Sequence, residues 1–301
     1  MALRIALSGF VVLVVAMGIG RFAFTPQVPL MITAGQLTLT SAGLVAAMNY
    51  LGYLVGAWDA MRAHRFVETR LWLGITGAVA LTLLSAAADN AVVHGLLRFV
   101  IGCMSGWSMV LIAAWTNERL GQLGKPGLSA AVFAGPGAGI ALSVLLAVYI
   151  QASSLSAGAA WQIYGVLALV LIALVARYLP RAGQLHRPGT APEPLLLTAD
   201  LRRLVWSYSL AGFGYILPAT FLSQMAAVRF PGSLFAQFVW PIFGAASVVG
   251  IAISIALRHT SSANRRLAIV LWLQGIGVLA AWLLPGIGGL LTGGLLVGGG
   301  F

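Results

Sequence analysis

A series of apolar segments, each long enough to cross a lipid bilayer, constrains this chain more than any other feature. A membrane-crossing α-helix needs about 20 mostly apolar residues. Charged residues make up only 8% of the 301 residues and hydrophobic ones 60%, so a water-soluble fold could not cover its surface. We therefore predict an all-helical, multi-pass membrane protein. Nine spans and part of a tenth are expected near residues 5–32, 41–60, 71–88, 91–115, 127–150, 159–179, 203–228, 234–257, 267–284 and 287–301.

The first span is unusually long for one crossing. Its apolar run extends from Leu3 to Ile32 and contains Pro26 and Pro29. Proline removes a backbone hydrogen bond from a helix, and a long span can tilt within the bilayer. We expect a tilted or kinked first helix.

The 17 basic residues fall into three groups by position. Fourteen lie in loops or span ends on the side that holds the N-terminus, and Arg229 lies on the opposite side. Because Lys and Arg are retained in cytoplasmic loops, this asymmetry predicts a cytoplasmic N-terminus in the cell inner (plasma) membrane. Arg21 and Arg98 form the third group, inside apolar segments. Long apolar runs separate the basic residues, so no continuous basic face can form and nucleic-acid binding is not expected.

The longest polar interruption, 180–202, predicts a division of the chain into two bundles. It carries four prolines and follows six predicted spans. We expect an N-terminal six-helix bundle at 1–179, a cytoplasmic linker, and an incomplete C-terminal bundle at 203–301 with spans 7 to part of 10. Short matches recur 194–200 residues apart: Gly18-Ile-Gly20 with Gly212-Phe-Gly214, Arg62 with Arg258, and Leu71-Trp72-Leu73 with Leu271-Trp272-Leu273. Such a parallel repeat of two halves predicts twelve spans, so we expect the sequence to stop within the tenth.

Span 4 carries an arginine followed by two glycines at four-residue spacing, namely Arg98, Gly102 and Gly106. The glycines share one helix face and allow close helix contact. An arginine in this position is costly in lipid, so it should face a partner or a watery cavity.

Span 5 combines a helix-breaking proline with small residues. Gly135 and Pro136 are followed three residues later by Gly139. This combination permits a bend and tight packing against a neighbouring helix.

Together these segments resemble the major facilitator superfamily of secondary transporters. The Arg98 and glycine pattern looks like the fourth-helix motif of that superfamily, and the Gly135-Pro136 pattern looks like its fifth-helix motif, which is associated with proton-coupled export. Asp59 with Arg62 and Arg65 keeps the residue types of a third motif between spans 2 and 3, but not its spacing.

Two N-terminal stretches are more specific. Gly18–Pro26 and Asn49–Gly56 are similar to the YbfB/YjiJ-type branch of that superfamily. The resemblance covers essentially the whole chain. It implies a fold of two six-helix bundles that rock about a central site, exposing it to each side of the membrane in turn.

Intramembrane charges and polar residues provide the candidate site. Arg21 is predicted to line a substrate cavity; the alternative is a structural ion pair or a helix cap beside the Pro26 kink. For Arg98, coupling and structural anchoring are equally weighted. The other polar candidates could instead be helix–helix hydrogen-bonding residues, and the tryptophans could be core residues. The substrate-binding or coupling candidates are Arg21, Thr25, Asn49, Tyr53, Arg98, Trp107, Tyr215, Gln237 and Trp240.

The function predicted is secondary active transport of a small organic solute, coupled to a proton or another ion. Arg21 favours an anionic substrate. The sequence contains no Gly-x-Ser-x-Gly, no paired carboxylates and no metal-ligand spacing among its four histidines. We expect no enzyme activity, cofactor or metal, and a monomer in the bilayer. The alternatives are a non-transporting sensor or scaffold with a transporter-like fold and, less favoured, a membrane-embedded lipid-modifying enzyme.

Overall fold

The regular secondary structure is entirely helical in the part of the chain that the structure describes. In this computed structural model the described residues are 1–185, 198–257, 260 and 262–300, with only the helical backbone described at 217–219 and 237. Within these described ranges, nine helices are long and apolar enough to cross a membrane. They are span 1 (Ala2–Thr33), span 2 (Leu39–Arg62), span 3 (Val67–Ala87), span 4 (Ala91–Gln122), span 5 (Gly127–Ala152), span 6 (Ala157–Tyr178), span 7 (Ala199–Arg229), span 8 (Phe238–Ala256, within the helix Leu234–Ala256) and span 9 (Ala263–Leu283).

A shorter apolar helix, Ile287–Gly299, follows span 9. The prediction of an all-helical membrane protein with nine spans and part of a tenth is confirmed. Most of the linker predicted at 180–202 lies outside the described residues, and the division into two bundles remains a prediction.

Polar caps start most of the spans at the residues where the sequence turns from polar to apolar. The Thr38 and Ser41 side chains each bond the other's backbone N–H at the start of span 2. Single side chains cap spans 4, 6 and 7 through Asn90, Ser156 and Thr198. These oxygens satisfy N–H groups that have no partner within the helix, which gives each span a defined beginning.

Glycines bring spans 2 and 4 into backbone contact. A methyl group at Gly102 would collide with the Asn49 carbonyl oxygen, and one at Gly106 would lie 2.6 Å from the Ala57 nitrogen. On the facing helix, Gly52 lies against the backbone of Phe99. Small residues on both helices therefore allow a separation that larger side chains would prevent.

Span 5 meets span 1 in the same way. A methyl group at Gly139 would lie 2.6 Å from the Gly18 Cα, and one at Gly135 would lie 2.5 Å from the Phe10 carbonyl oxygen. Pro136 is buried beside them. The span 5 glycines thus hold span 1 along much of its length.

Span 1 departs from α-helical geometry near its middle. Residues Ala2–Leu13 and Phe24–Thr33 are α-helical, and Val14–Phe22 between them forms a π-helix. A π-helix has wider turns, is rare, and is frequent at functional sites. The distortion therefore lies upstream of Pro26 and Pro29, at the segment that carries Arg21.

Candidate functional site

A cavity of about 610 Å³ lies where spans 1, 2, 4 and 5 meet spans 7, 8 and 9. Most of its wall is apolar, as in Met17, Phe133 and Leu271. Its large polar side chains are Arg21, Tyr53, Tyr208, Tyr215 and Gln274. Volumes of about 300–1,000 Å³ with a few convergent polar groups are typical of small-molecule sites.

The cavity lies in the half of the molecule next to the side that holds the N-terminus. Spans 7 and 9 both begin on that side. Their cavity residues, from Tyr208 to Tyr215 and from Leu267 to Gln274, start in the first half of each helix and end just past its middle. Farther along span 7, the hydroxyl groups of Thr220 and Tyr50 are hydrogen-bonded at 2.9 Å. Spans 2 and 7 are therefore joined beyond the cavity, toward the opposite side.

Arg21 is held between aromatic rings at the cavity wall. Its guanidinium carbon lies 4.1 Å from the centroid of the Tyr53 ring and 4.8 Å from that of Tyr50. The side chain is only 8% exposed, and its Nε has no hydrogen-bond partner. Cation–π contacts of this kind are stronger away from water, so the tyrosine rings stabilise the buried charge.

No carboxylate forms a salt bridge with Arg21 in the part of the chain that the structure describes. The ion pairs there are Asp59 with Arg70 and Asp200 with Arg203. A buried cation without an acidic partner attracts an anion strongly, because its field is poorly screened. The Arg21 side of the cavity is therefore electropositive.

Side chains of spans 4 and 5 fasten the π-helical segment through its carbonyl groups. Arg98 Nη1 donates to the Gly20 oxygen at 2.8 Å. Ser105 donates to the Ala16 oxygen at 2.7 Å, and Ser143 to the Gly18 oxygen at 3.2 Å. These bonds fix the backbone at three points within the π-helical segment, immediately before Arg21.

Arg98 lies in a closed polar cluster rather than on the cavity wall. It has no exposed surface, and its guanidinium carbon lies 4.3 Å from the Trp161 ring centroid. Its Nη2 is 3.4 Å from the Ser85 hydroxyl, and Asn49 donates to its carbonyl at 2.8 Å. Arg98 and Asn49 therefore join spans 1, 2, 3 and 4 to one another.

Asp59 forms a second polar cluster at the end of span 2. Arg70 Nε and Trp107 Nε1 both donate to Asp59 Oδ2 at 2.8 Å. Arg62 instead stacks over the Trp58 ring, 4.1 Å from its centroid. The cluster ties spans 2, 3 and 4 together, and Trp107 lies there rather than on the cavity wall.

The remaining predicted residues are spread over the molecule. Tyr215 lines the cavity with Arg21 and Tyr53. Thr25 is buried in span 1, one turn beyond Arg21. Trp240 is buried and stacks on Phe243, with ring centroids 4.6 Å apart. The side chain of Gln237 lies outside the described residues.

Two polar residues near the cavity were not among the predicted site residues. Tyr208 lines it, and Tyr50 stacks on Arg21. Tyr50 and Tyr53 lie three residues apart, on one face of span 2, so that spacing was the available signal for Tyr50. No such spacing in span 7 distinguished Tyr208, whose side chain is 67% exposed. Among the described residues no group of three His, Cys, Asp or Glu is placed to hold a metal ion.

One comparison with known proteins identifies a family. Residues 13–301 match the family model described as "Uncharacterised MFS-type transporter YbfB". A search of curated proteins found no match.

Solved structures share the fold. A bacterial homologue of the human lysosomal transporter Spinster, in an inward-facing and occupied conformation, superposes with a TM-score of 0.60 at 16% identity, covering 99% of this chain and 72% of that one. The transporter FucP in its outward conformation gives 0.59 at 18% identity, covering 98% and 80%. At these identities the likeness shows the fold alone.

Proposed function

This chain belongs to the major facilitator family described as "Uncharacterised MFS-type transporter YbfB", and from that premise we propose that it is a secondary active transporter of a small organic anion. The chain is a multi-pass membrane protein with the fold of membrane transporters. The proposal that the substrate is an anion is based on the cavity beside Arg21.

The observation that carries the proposal is the placement of Arg21. Its guanidinium borders the cavity and is enclosed by Tyr53 and Tyr50, and it forms no salt bridge with a described carboxylate. Intramembrane charges are rare and face partners or water-filled cavities. A carboxylate or phosphate of the substrate would supply the missing negative charge through charge-assisted hydrogen bonds.

The rest of the wall favours a substrate with a sizeable apolar part. Met17, Phe133 and Leu271 surround the cavity beside the tyrosines. Apolar walls stabilise apolar ligand surface, and the few polar groups orient the ligand. The substrate class that fits is therefore an amphipathic organic acid of moderate size.

The mechanism proposed is alternating access. The cavity lies toward the N-terminal side, and the Tyr50–Thr220 hydrogen bond joins spans 2 and 7 toward the other side. Rocking of one bundle against the other about Arg21 would break that bond and open the opposite side. Substrate movement would be coupled to a proton or another ion. The basic loops support a cytoplasmic N-terminus in the inner membrane.

The test is binding to the purified protein, with benzoate as the probe acid and benzyl alcohol and benzylamine as its neutral and cationic analogues. We expect benzoate to raise the melting temperature and to compete with other organic acids. Uptake into proteoliposomes would then show whether bound acids are carried. In Arg21→Gln, loss of a charged hydrogen bond, about 1.5–3 kcal/mol, should weaken acid binding roughly 10- to 150-fold.

Arg21→Lys serves as the matched control, because it keeps the charge and should retain part of the affinity. Melting temperatures of the ligand-free variants report whether they fold. The proposal is wrong if a panel of organic acids shows no preference over neutral analogues, or if Arg21→Gln binds acids as tightly as the original protein.

A further inference from the structure

Two adjoining cavities lie beside the Arg21 cavity, and the first of them shares Val270 with it. One is a groove of about 560 Å³ between span 8, span 9 and the helix Ile287–Gly299. The other, of about 880 Å³, lies between the connection of spans 4 and 5 and span 8. Ser254 and Arg266 line both cavities, so the apolar groove ends where the second cavity begins.

The groove has the dimensions of a site for an extended hydrocarbon chain. Along span 8 its lining runs from Ile242 to Leu257, which is about 22 Å at a rise of 1.5 Å per residue. The hydrocarbon of one membrane leaflet is roughly 15 Å deep, half of a core of about 30 Å. The residues that line the groove are mostly apolar, and Val249 and Ile253 are more than half exposed.

The second cavity carries positive charge at the membrane edge. Lys125 lines it in the connection between spans 4 and 5, and Arg266 lines it at the start of span 9. Both positions are on the side that holds the N-terminus, because the chain crosses an even number of times before each. Among the described residues that line the two cavities there is no Asp or Glu. Arg266 Nη1 donates to the Leu257 carbonyl at 3.3 Å, which holds the guanidinium at the end of the groove.

We propose that this pair of cavities binds an anionic phospholipid, with its phosphate at Lys125 and Arg266 and one acyl chain in the groove. Basic pockets between membrane helices on the cytoplasmic side are suited to anionic lipid headgroups. An apolar groove alone would accept any lipid, so the two cations provide the selectivity. The bound lipid links the span 4–5 connection to span 9, on the side where the Arg21 cavity lies.

The experiment is native mass spectrometry of the full chain, purified and equilibrated with equal amounts of phosphatidylglycerol and phosphatidylcholine that have identical acyl chains. Each basic residue near an anionic surface adds about fivefold (about 1 kcal/mol) to binding. We therefore expect retained phosphatidylglycerol to exceed phosphatidylcholine by roughly 25-fold. Lys125→Gln with Arg266→Gln should bring the two lipids to within about twofold of each other.

Two further variants separate charge from shape. Arg65→Gln with Arg181→Gln removes the same charge from exposed positions on the same side and should leave the preference unchanged. Ser254→Trp fills the junction of the two cavities and should lower retention of both lipids.

Equal retention of both lipids by the original protein would overturn the proposal. The proposal would also be overturned if the Arg65→Gln, Arg181→Gln variant lost the preference for phosphatidylglycerol to the same extent. That outcome would indicate a general attraction of anionic lipid to the basic surface. A dimer without bound lipid that Ser254→Trp dissociates would assign the groove to a second copy of the chain. Because lipid retention is read without transport, failure here leaves the assignment of the Arg21 cavity untouched.

Discussion

Arg21 and Arg98 are both arginines buried in apolar spans, yet the surroundings of their guanidinium groups differ. Arg98 donates to Gly20 and lies against Trp161 with no exposed surface. The Nε atoms of both arginines are buried without a hydrogen-bond partner, but Arg21 borders a cavity and is enclosed by tyrosine rings. An arginine whose Nη atoms donate within the protein stabilises structure, whereas one that borders a cavity can bind a ligand.

The two arginines are also connected. The carbonyl that accepts from Arg98 belongs to Gly20, the residue immediately before Arg21. Arg98 therefore acts on the cavity indirectly, as a positioning residue that holds the π-helical segment. Arg98 therefore contributes mainly to stability, and Arg21 to ligand affinity.

The largest expected effect is on stability. Arg98→Ala leaves the Gly20 carbonyl without its donor and opens a void beside Trp161, for a combined cost of about 3–5 kcal/mol. The measurement is the melting temperature and yield in detergent. Arg98→Met fills much of the volume but donates nothing, so it should be destabilised less than Arg98→Ala. A stability unchanged in both variants would show that Arg98 is not an anchor.

The second prediction concerns coupling between the two arginines. Arg98→Met should weaken binding of an organic acid by about tenfold when Arg21 is present, because the Arg21 backbone is released. In an Arg21→Gln background the same substitution should have little effect, a coupling of about 1.4 kcal/mol, within the usual range for interacting residues. The four affinities are measured in parallel. Additive losses would mean that Arg98 acts independently of Arg21.

The third prediction addresses the other support of the π-helical segment. Gly139→Ala places a methyl group 2.6 Å from the Gly18 Cα and should cost about 1–3 kcal/mol through overpacking. Gly121→Ala is the matched control, since a methyl group there meets nothing within 4 Å and alanine favours helix by about 0.5–1 kcal/mol. Thermal unfolding of both variants checks this. Equal melting temperatures would contradict the tight contact of spans 1 and 5.

The smallest effect is expected at the hydrogen bond beyond the cavity. Tyr50→Phe or Thr220→Val removes a bond worth about 0.5–1.5 kcal/mol, which shifts a two-state equilibrium by about 2- to 10-fold. The far side should open more often. Distances between spin labels on the 34–38 and 230–233 connections, in a Cys103→Ser background, report this opening. If the distance distribution is unchanged in both variants, the Tyr50–Thr220 hydrogen bond does not help to keep the far side closed.

Much of the architecture could be predicted from residue patterns alone. The apolar runs predicted the spans because each span must satisfy its backbone hydrogen bonds within itself. The Gly18–Pro26 and Asn49–Gly56 stretches indicated the family. Arg21 stood out because a charge in an apolar segment needs an explanation whatever the fold is.

The partners of these residues could not be predicted in the same way. Asp59 pairs with Arg70, eleven residues away, whereas the sequence motif had drawn attention to Arg62 and Arg65. Spacing along the chain does not specify which basic side chain of the connection between spans 2 and 3 reaches the Asp59 carboxylate. Trp107 is on span 4 at a depth that allowed contact with a substrate, but the rotation of that helix directs its nitrogen to Asp59.

The π-helical segment shows where local pattern ends and tertiary structure begins. Pro26 and Pro29 marked span 1 as distorted, yet the wide turn lies at Val14–Phe22. Donors from other helices, Arg98, Ser105 and Ser143, satisfy its carbonyl groups. These donors cannot be predicted from the sequence of the segment itself.

The order of polar and apolar residues thus determined that this chain crosses a membrane about nine times, that its basic loops share one side, and that two arginines lie within the bilayer. These outcomes follow from the free energy of transferring side chains from water into lipid and from the need to hydrogen-bond every backbone group within the bilayer. Both act locally along the chain. Tertiary packing decided that Arg98 is enclosed and Arg21 faces a cavity. That difference depends on which helices approach each guanidinium, because a donor's partners come from distant segments and are chosen only when the helices pack.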